Sequence, residues 1–505
     1  MEDKDHLHAL VHSMKKAEQS YFKKIKSAFG IVNSSLLQIF KAIQNQEEYN
    51  EEDLLKNLNK DSFREFFAVK KHSLYIEILD VLVYSKSRAT EAQWQINKMI
   101  SHAMILKERM LFEDAYKILQ KAKKICQENE FFHRENEINQ HFIEILNQSK
   151  SMTDFGFSES VESLRMSIIQ TSEKSINAEQ YFILSDQLYR KGEKLRLTDN
   201  DSIKIEMRNL YASPLLSSEH KAFSKTALVC YHFILYFKAS NYEIDIESAC
   251  YHMKKLIDLQ ESIKRFSPRA RAVQMGNYIT LTSKNNKNKE AWEMLSKMEK
   301  LNDEQKDEFI LSSYLAHKGF CVSNDSDLKT FDAYVDELEK VHQKTIEQLA
   351  FSKEIMDIKH ILLCYYFRKG NFKKAYSIAS YLDLQFDLHS FKNMKLSEKI
   401  LKLLCAIELN DYDLIQAEIR AVKYMLKNID NQLEIEIHIF ETLEKISKSN
   451  NIENKNSILS QYLQTHSKTH SPDKYSFLIN GFGFNEWVEA KINNKEFTSL
   501  QFKIY

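Results

Sequence analysis

Residues 355–385 read IMDIKHILLCYYFRKGNFKKAYSIASYLDLQ. Leu362, Leu363, Tyr365 and Tyr366 form an apolar run that predicts one helix. The helix is expected to stop at Arg368-Lys369-Gly370-Asn371, because glycine takes the left-handed cap conformation with no Cβ penalty. A second helix is predicted from Asn371 or Phe372. It carries Ala375 and Ala379 four apart on one face, and small side chains there let two helices approach closely. The stretch therefore reads as a tight antiparallel helical hairpin.

The order aromatic, polar, polar, alanine at Phe372-Lys373-Lys374-Ala375 returns as Phe112-Glu113-Asp114-Ala115. That second copy lies in 96–126, INKMISHAMILKERMLFEDAYKILQKAKKIC, with Ala103, Ala115, Leu119 and Ala122 marking its two helices. A third candidate, 395–427, places Tyr412 in the aromatic position and Ile415 where alanine is expected. Fainter echoes surround Tyr242 and Ala249, and Ala291 and Leu295. Ser267-Pro268 is predicted to start a helix, since proline is tolerated in the first turn.

Composition agrees with hairpins. Of 505 residues, 8 are Gly and 3 Pro, where ordinary usage would give roughly 60. Sheets need turns rich in these residues, so sheet folds are excluded. With 43% hydrophobic and 28% charged residues, disorder is excluded too. A single core stops growing near roughly 250–300 residues, so an all-α chain of this length must split or stack. The expected fold is an all-α solenoid of antiparallel helical hairpins, partly degenerate in its repeats.

Lys+Arg and Asp+Glu are both 71, so no global charge draws the chain to nucleic acid or an anionic membrane. No apolar run reaches the ~20 residues needed to span a bilayer. The first twelve residues lack a long apolar core, so no secretory leader is expected. The cysteines Cys126, Cys230, Cys250, Cys321, Cys364 and Cys405 stand alone without metal-ligand spacing, and most read as reduced core thiols. His8 and His12 lie four apart but lack the carboxylate of a metalloprotease helix, and read as surface residues. Phosphate-cradling and nucleophile-elbow motifs are absent, so neither cofactor nor metal nor catalytic residues are expected.

The N-terminal ninety residues read differently, with helices predicted at 5–28, 34–46, 51–58 and 69–86. In the last of these, Leu74, Ile78, Val81 and Leu82 form one stripe. A short helix, a turn and a helix opening on Lys70-Lys71 also has the outline of a helix-turn-helix DNA reader. On that alternative, Lys15, Lys23, Lys70 and Lys71 would contact nucleic acid, and the chain would be a transcriptional regulator. The near-neutral charge of the segment argues for a capping subdomain instead. At the other end, Trp487, Val488 and Phe497 can cover the open end of the last hairpin. The expected division is 1–90, a hairpin array over 91–475, and a covering helix in 476–505.

The hairpins resemble tetratricopeptide repeats. That pattern has small residues at the eighth, twentieth and twenty-seventh positions. Ala103, Ala115 and Ala122 match it, as does Ala375, whereas Leu363 and Leu382 depart from it. The resemblance implies a peptide-binding groove lined by the first helix of each unit. Those positions are Asp357, His360, Cys364, Phe367 and Arg368 in one unit, and Asn97, Ile100, Met104, Lys107 and Glu108 in the other. Phe367 beside Arg368 would then offer an aromatic anchor and a carboxylate clamp. The two ends, Ser13-Met14-Lys15-Lys16-Ala17-Glu18-Gln19-Ser20-Tyr21-Phe22-Lys23 and Trp487-Val488-Glu489-Ala490-Lys491, resemble those of large helical-repeat proteins of Bacteroidota with no assigned activity. That likeness implies a bacterial, cytoplasmic setting. Together the readings anticipate a non-catalytic scaffold for a protein or peptide partner.

Overall fold

A computed structural model describes residues 6–28, 35–46, 48–57, 66–86, 92–148, 160–198, 200–263, 265–324, 328–345, 353–385, 392–427, 434–449, 451–469 and 477–495. Among these, every regular element is helical. The chain forms two compact units, Met1–Ser175 and Ile176–Tyr505. The division between them falls inside a long helix, and residues 87–91, where a boundary is expected, lie outside those described.

The first unit opens with α1 (His6–Ser13) and α2 (Lys16–Ala28). The single helix expected over 5–28 is broken at Met14-Lys15. Ser13 Oγ donates to the Leu10 carbonyl at 2.7 Å, and the Glu18 carboxylate accepts from the Lys15 N–H at 2.8 Å. Those bonds close one helix and start the next, the second being half of a capping box. Then come α3 (Ser35–Gln44), α4 (Glu51–Asn57) and α5 (Phe67–Lys86). Asn50 Oδ1 accepts from the Asp53 N–H at 3.1 Å and so starts α4. Phe22, Ile39, Phe40, Leu74 and Ile78 are fully buried in one cluster. A second cluster gathers α6 (Ala92–Glu108), α7 (Phe112–Asn129), α8 (Phe132–Gln148) and the first part of α9 (Val161–Thr198). Ala103, Ala115 and Ala122 are buried between α6 and α7, where small side chains permit the close approach.

The second unit takes the rest of α9, then α10 (Asp201–Tyr211) and two short 3-10 turns, Pro214–Leu216 and Glu219–Lys221. Next are α11 (Lys225–Lys238), which runs into a π turn at Ala239–Glu243, and α12 (Ile246–Glu261). The array continues with α13 (Pro268–Lys284), α14 (Asn288–Gln305), α15 (Glu308–Asn324), α16 (Leu328–Thr345), α17 (Lys353–Arg368) and α18 (Phe372–Gln385). It ends with α19 (Lys392–Glu408), α20 (Tyr412–Leu426), α21 (Glu434–Lys448), α22 (Ile452–Thr469), a π turn at Phe477–Phe482 and α23 (Phe484–Ile492). Ser267 caps α13 by accepting from the Ala270 N–H at 3.1 Å, ahead of Pro268. Each hairpin packs internally, as α13 on α14, α17 on α18 and α19 on α20. First helices also pack on the next first helix, as α13 on α15, α15 on α17 and α19 on α21. This is the all-α solenoid anticipated above, and one apolar core runs through it from Val229 to Val488.

The tight turns share one device. At seven of them a residue with φ between 49° and 70° stands two positions before the next helix: Met110, Glu130, Ile244, Asn286, Lys306, Gly370 and Asn410. At five, two crossed backbone bonds close the preceding helix; Gly370 N–H donates to the Phe367 carbonyl at 3.1 Å and Asn371 N–H to that of Tyr366 at 2.9 Å. Gly370 is the residue expected there, but the other six are not glycine. Two further glycines serve close packing instead. A Cβ at Gly276 of α13 would lie 2.5 Å from the His317 ring of α15, and one at Gly319 of α15 would lie 2.6 Å from the Tyr334 hydroxyl of α16.

Candidate functional site

The α17 residues expected to line a groove mostly face neighbouring helices. His360 is buried, and its Nε2 bonds Glu398 Oε1 of α19 at 2.5 Å while Nδ1 donates to the Met356 carbonyl at 2.8 Å. Burial alone would lower the His360 pKa. The Glu398 carboxylate, with Asp357 and the Met356 carbonyl, reverses this and raises it above the ordinary 6.5. Cys364 is buried, and burial pushes its thiol up to about 12, which leaves it unreactive. Phe367 is 2% exposed, with its ring against Phe372 at 5.0 Å and Phe482 at 4.9 Å. Asp357 and Arg368 are half-buried. Burial lowers the Arg368 guanidinium to about 9, offset in part by Cys364 and Glu486. The open groove implied by the repeat resemblance is therefore absent at His360, Cys364 and Phe367, because α19 and the 477–482 turn cover that face.

In the first unit, Asn97 is half-buried, and its Oδ1 meets no partner among the described residues. Ile100 is buried and Met104 exposed. Lys107 forms an ion pair with Glu144 of α8 at 2.5 Å, and Glu108 is exposed. The lysines of the nucleic-acid alternative differ in availability. Lys71 donates to the Tyr49 hydroxyl at 2.6 Å, pairs with Glu51 at 3.2 Å and sits over the Tyr49 and Phe67 rings. Lys23 donates to Gln44 Oε1 at 2.7 Å. Lys70 is half-buried and Lys15 exposed. His8 and His12 bond the carbonyls of Gln46 and Ile43, both at 3.1 Å, and so help close the C-terminal end of α3.

Three arrangements escaped sequence reasoning. The first is a cleft of about 400 Å³ where the α17–α18 turn meets α23, lined by Phe367, Arg368, Lys369, Glu408, Trp487 and Lys491, among others. Glu408 accepts from the Trp487 indole at 2.7 Å and pairs with Lys491 at 2.7 Å. Asp332 pairs with Lys369 at 2.9 Å. Two of its cations, Lys369 and Lys491, thus meet acids of the same chain, and both lie near helix C-termini, whose partial negative charge they complement. The second is a polar seam across α18, α19 and α20: Lys399 with Asp383 at 2.9 Å, Lys402 with Glu418 at 3.2 Å, and Tyr376 donating to Glu418 at 2.6 Å. The third joins His232 of α11 and His252 of α12, whose Nδ1 atoms are 3.0 Å apart. Its trace in the sequence is the tripeptide Cys-Tyr-His, at 230–232 and again at 250–252.

Among the described residues, no group of three or more His, Cys, Asp or Glu side chains could hold a metal ion, and no helix is long and apolar enough to cross a membrane. No family model, no curated protein and no solved structure matches the chain.

Proposed function

We propose that the chain is a non-catalytic scaffold that binds a protein or peptide partner along its helical-hairpin array, in a cytoplasmic setting. The supporting observation concerns which helices keep large apolar side chains in water. Between residues 353 and 469 these are Leu384 (81% exposed), Tyr412 (69%), Tyr424 (72%) and Ile452 (74%). They sit on α18, α20 and α22, the second helices of successive hairpins, and among the described residues none sits on α17, α19 or α21. Over this stretch the described residues of the first helices spend their apolar side chains on the core, so the second-helix layer is what this part of the array offers to a partner. Tyrosines are well suited to such contact, since they bring large area with few rotatable bonds.

Both tyrosines can be changed without touching the core. The test is affinity capture from bacterial lysate with the intact chain and with a Tyr412→Glu, Tyr424→Glu double variant. Loss of a specific captured protein from the variant is expected. The same proteins captured at the same yield by both would reject this surface. The nucleic-acid alternative gains no support from the geometry, because Lys23 and Lys71 are engaged within the chain.

A further inference from the structure

The contact between His232 and His252 has an unusual chemistry for a helix–helix seam. His232 is 1% exposed and His252 half-buried. At 3.0 Å between Nδ1 atoms, one ring must donate and the other accept. The outer nitrogen of His232, Nε2, lies 3.9 Å from Glu219 Oε1 on the Glu219–Lys221 turn. That carboxylate favours the tautomer with the His232 proton on Nε2, which leaves the His232 Nδ1 bare to accept from the His252 Nδ1–H. The pair as a whole then carries one proton between the two facing nitrogens.

We infer that this imidazole pair is an acid-sensitive latch in the α11–α12 hairpin, in which a proton arriving at His232 makes it exchange His252 for Glu219. A first added proton can enter on Nε2 of His252, which is half-buried, and leaves the shared hydrogen bond intact. A second must occupy His232 Nδ1, where it meets the His252 Nδ1–H head-on. Two cations at that separation repel, and the bond has no acceptor left. The imidazolium of His232 is then drawn to Glu219, 3.9 Å away on its opposite nitrogen. The expected movement is a loosening of α12 against α11, while the turn carrying Glu219 holds its place. That turn is anchored independently: Asn177 of α9 donates to the Lys221 carbonyl at 3.0 Å and accepts from the Phe223 N–H at 2.9 Å.

The other groups facing the pair fit this direction. From α12, Lys255 disfavours charge on His232, and Glu219 favours it. Tyr231 and Tyr251 adjoin the rings in sequence, with Tyr181 of α9 against Tyr231 at 6.3 Å. Burial, and then His252, hold the His232 pKa down to about 4; burial lowers that of His252 as well, against the pull of Glu219. An unfolded histidine titrates near 6.5. Because the unfolded segment binds more protons between those values, stability here is full above pH 6.5 and is lost as pH falls toward 4.

Hydrogen exchange of the full chain, corrected for intrinsic rates, tests this between pH 7 and pH 4. Protection of amides in 246–256 is expected to fall by up to about tenfold per pH unit for each proton taken up, while amides in 217–224 keep theirs. His252→Phe fills the same space without a proton, and cuts that selective loss to the share of His232 alone, which burial still holds down. Glu219→Gln changes a residue that is 56% exposed, so folding is retained, and it moves the loss to lower pH. Uniform loss over both segments, or loss unchanged in either variant, overturns the latch. So does a histidine ring titration by NMR in which both rings behave as independent groups near pH 6.5.

Discussion

The sharpest test of the fold concerns its turns, because two substitutions of opposite chemistry should act in opposite directions. Gly370 has φ +70°, and a Cβ built there would meet nothing within 4 Å. Gly370→Ala therefore adds no clash and isolates backbone conformation. The left-handed region disfavours an L-residue by about 1–2 kcal/mol, while alanine narrows the unfolded chain in its favour by about 0.4–1 kcal/mol. The net is a loss of about 1 kcal/mol. Ile244 is the converse case. Its φ is 56°, it is β-branched, and 74% of it is exposed. Ile244→Gly relieves the strain and sacrifices little packing, so a gain of about 1 kcal/mol is expected after the extra unfolded entropy of glycine.

A stack of hairpins unfolds in parts, so a single global midpoint is a poor measure. Native-state hydrogen exchange resolved to 360–380 and 239–256 reads each turn locally. A change of about 1 kcal/mol appears there as roughly a fivefold change in protection. Faster exchange in the first segment of Gly370→Ala and slower exchange in the second of Ile244→Gly are expected. Equal protection in Gly370→Ala and the parent, or faster exchange in Ile244→Gly, would refute the idea that the left-handed residue is strained in these turns.

Two other perturbations bear on the polar contacts of the second unit. Glu398→Ala leaves the His360 imidazole buried without its counter-charge, for a loss of about 3–5 kcal/mol measured by urea denaturation. The paired change His360→Leu with Glu398→Leu should be far milder, and if it matches the single variant the ion pair is not the cause. This pair also sets a pH dependence: the folded pKa of His360 is raised, so its share of stability is full below pH 6.5 and lost as pH rises through the folded value. Trp487→Phe keeps an aromatic ring beside Phe484 but removes the indole donor to Glu408 at 2.7 Å. A hydrogen bond to a charged group contributes about 1.5–3 kcal/mol, so the α23 end should fray first, seen as early proteolysis near 477–495.

The hairpin at 353–385 could be read from the chain because its turn uses glycine and its contact face uses alanine, both of which leave a mark on the sequence. The left-handed residues Met110, Glu130, Ile244 and Lys306 carry no such mark, since none of them is a residue that favours positive φ by local preference. The break at Met14-Lys15 depends on a serine and a glutamate that would be equally at home inside a helix. The expected groove failed for a different reason. Repeat position does not set exposure at His360, Cys364 and Phe367; exposure depends on what packs against them, and α19 presents Glu398 to His360 while Phe482 covers Phe367. The His232–His252 contact joins residues twenty apart on two helices, a spacing that no local periodicity picks out.

These polar contacts also answer a problem that stacking creates. Apolar ridges on successive helices are similar, and a hairpin could slide by a turn against its neighbour while still burying much of its surface. A buried charge does not slide so cheaply. If α19 shifted one turn against α17, Glu398 would face an apolar stretch and His360 would lose its partner, and each stranded ion carries a penalty of several kcal/mol. The Lys402–Glu418–Tyr376 seam sets the same condition on α18, α19 and α20. Apolar burial thus supplies the attraction between hairpins, the left-handed turns fix the angle at which each chain reverses, and the buried pairs select one register among several that the core alone would accept.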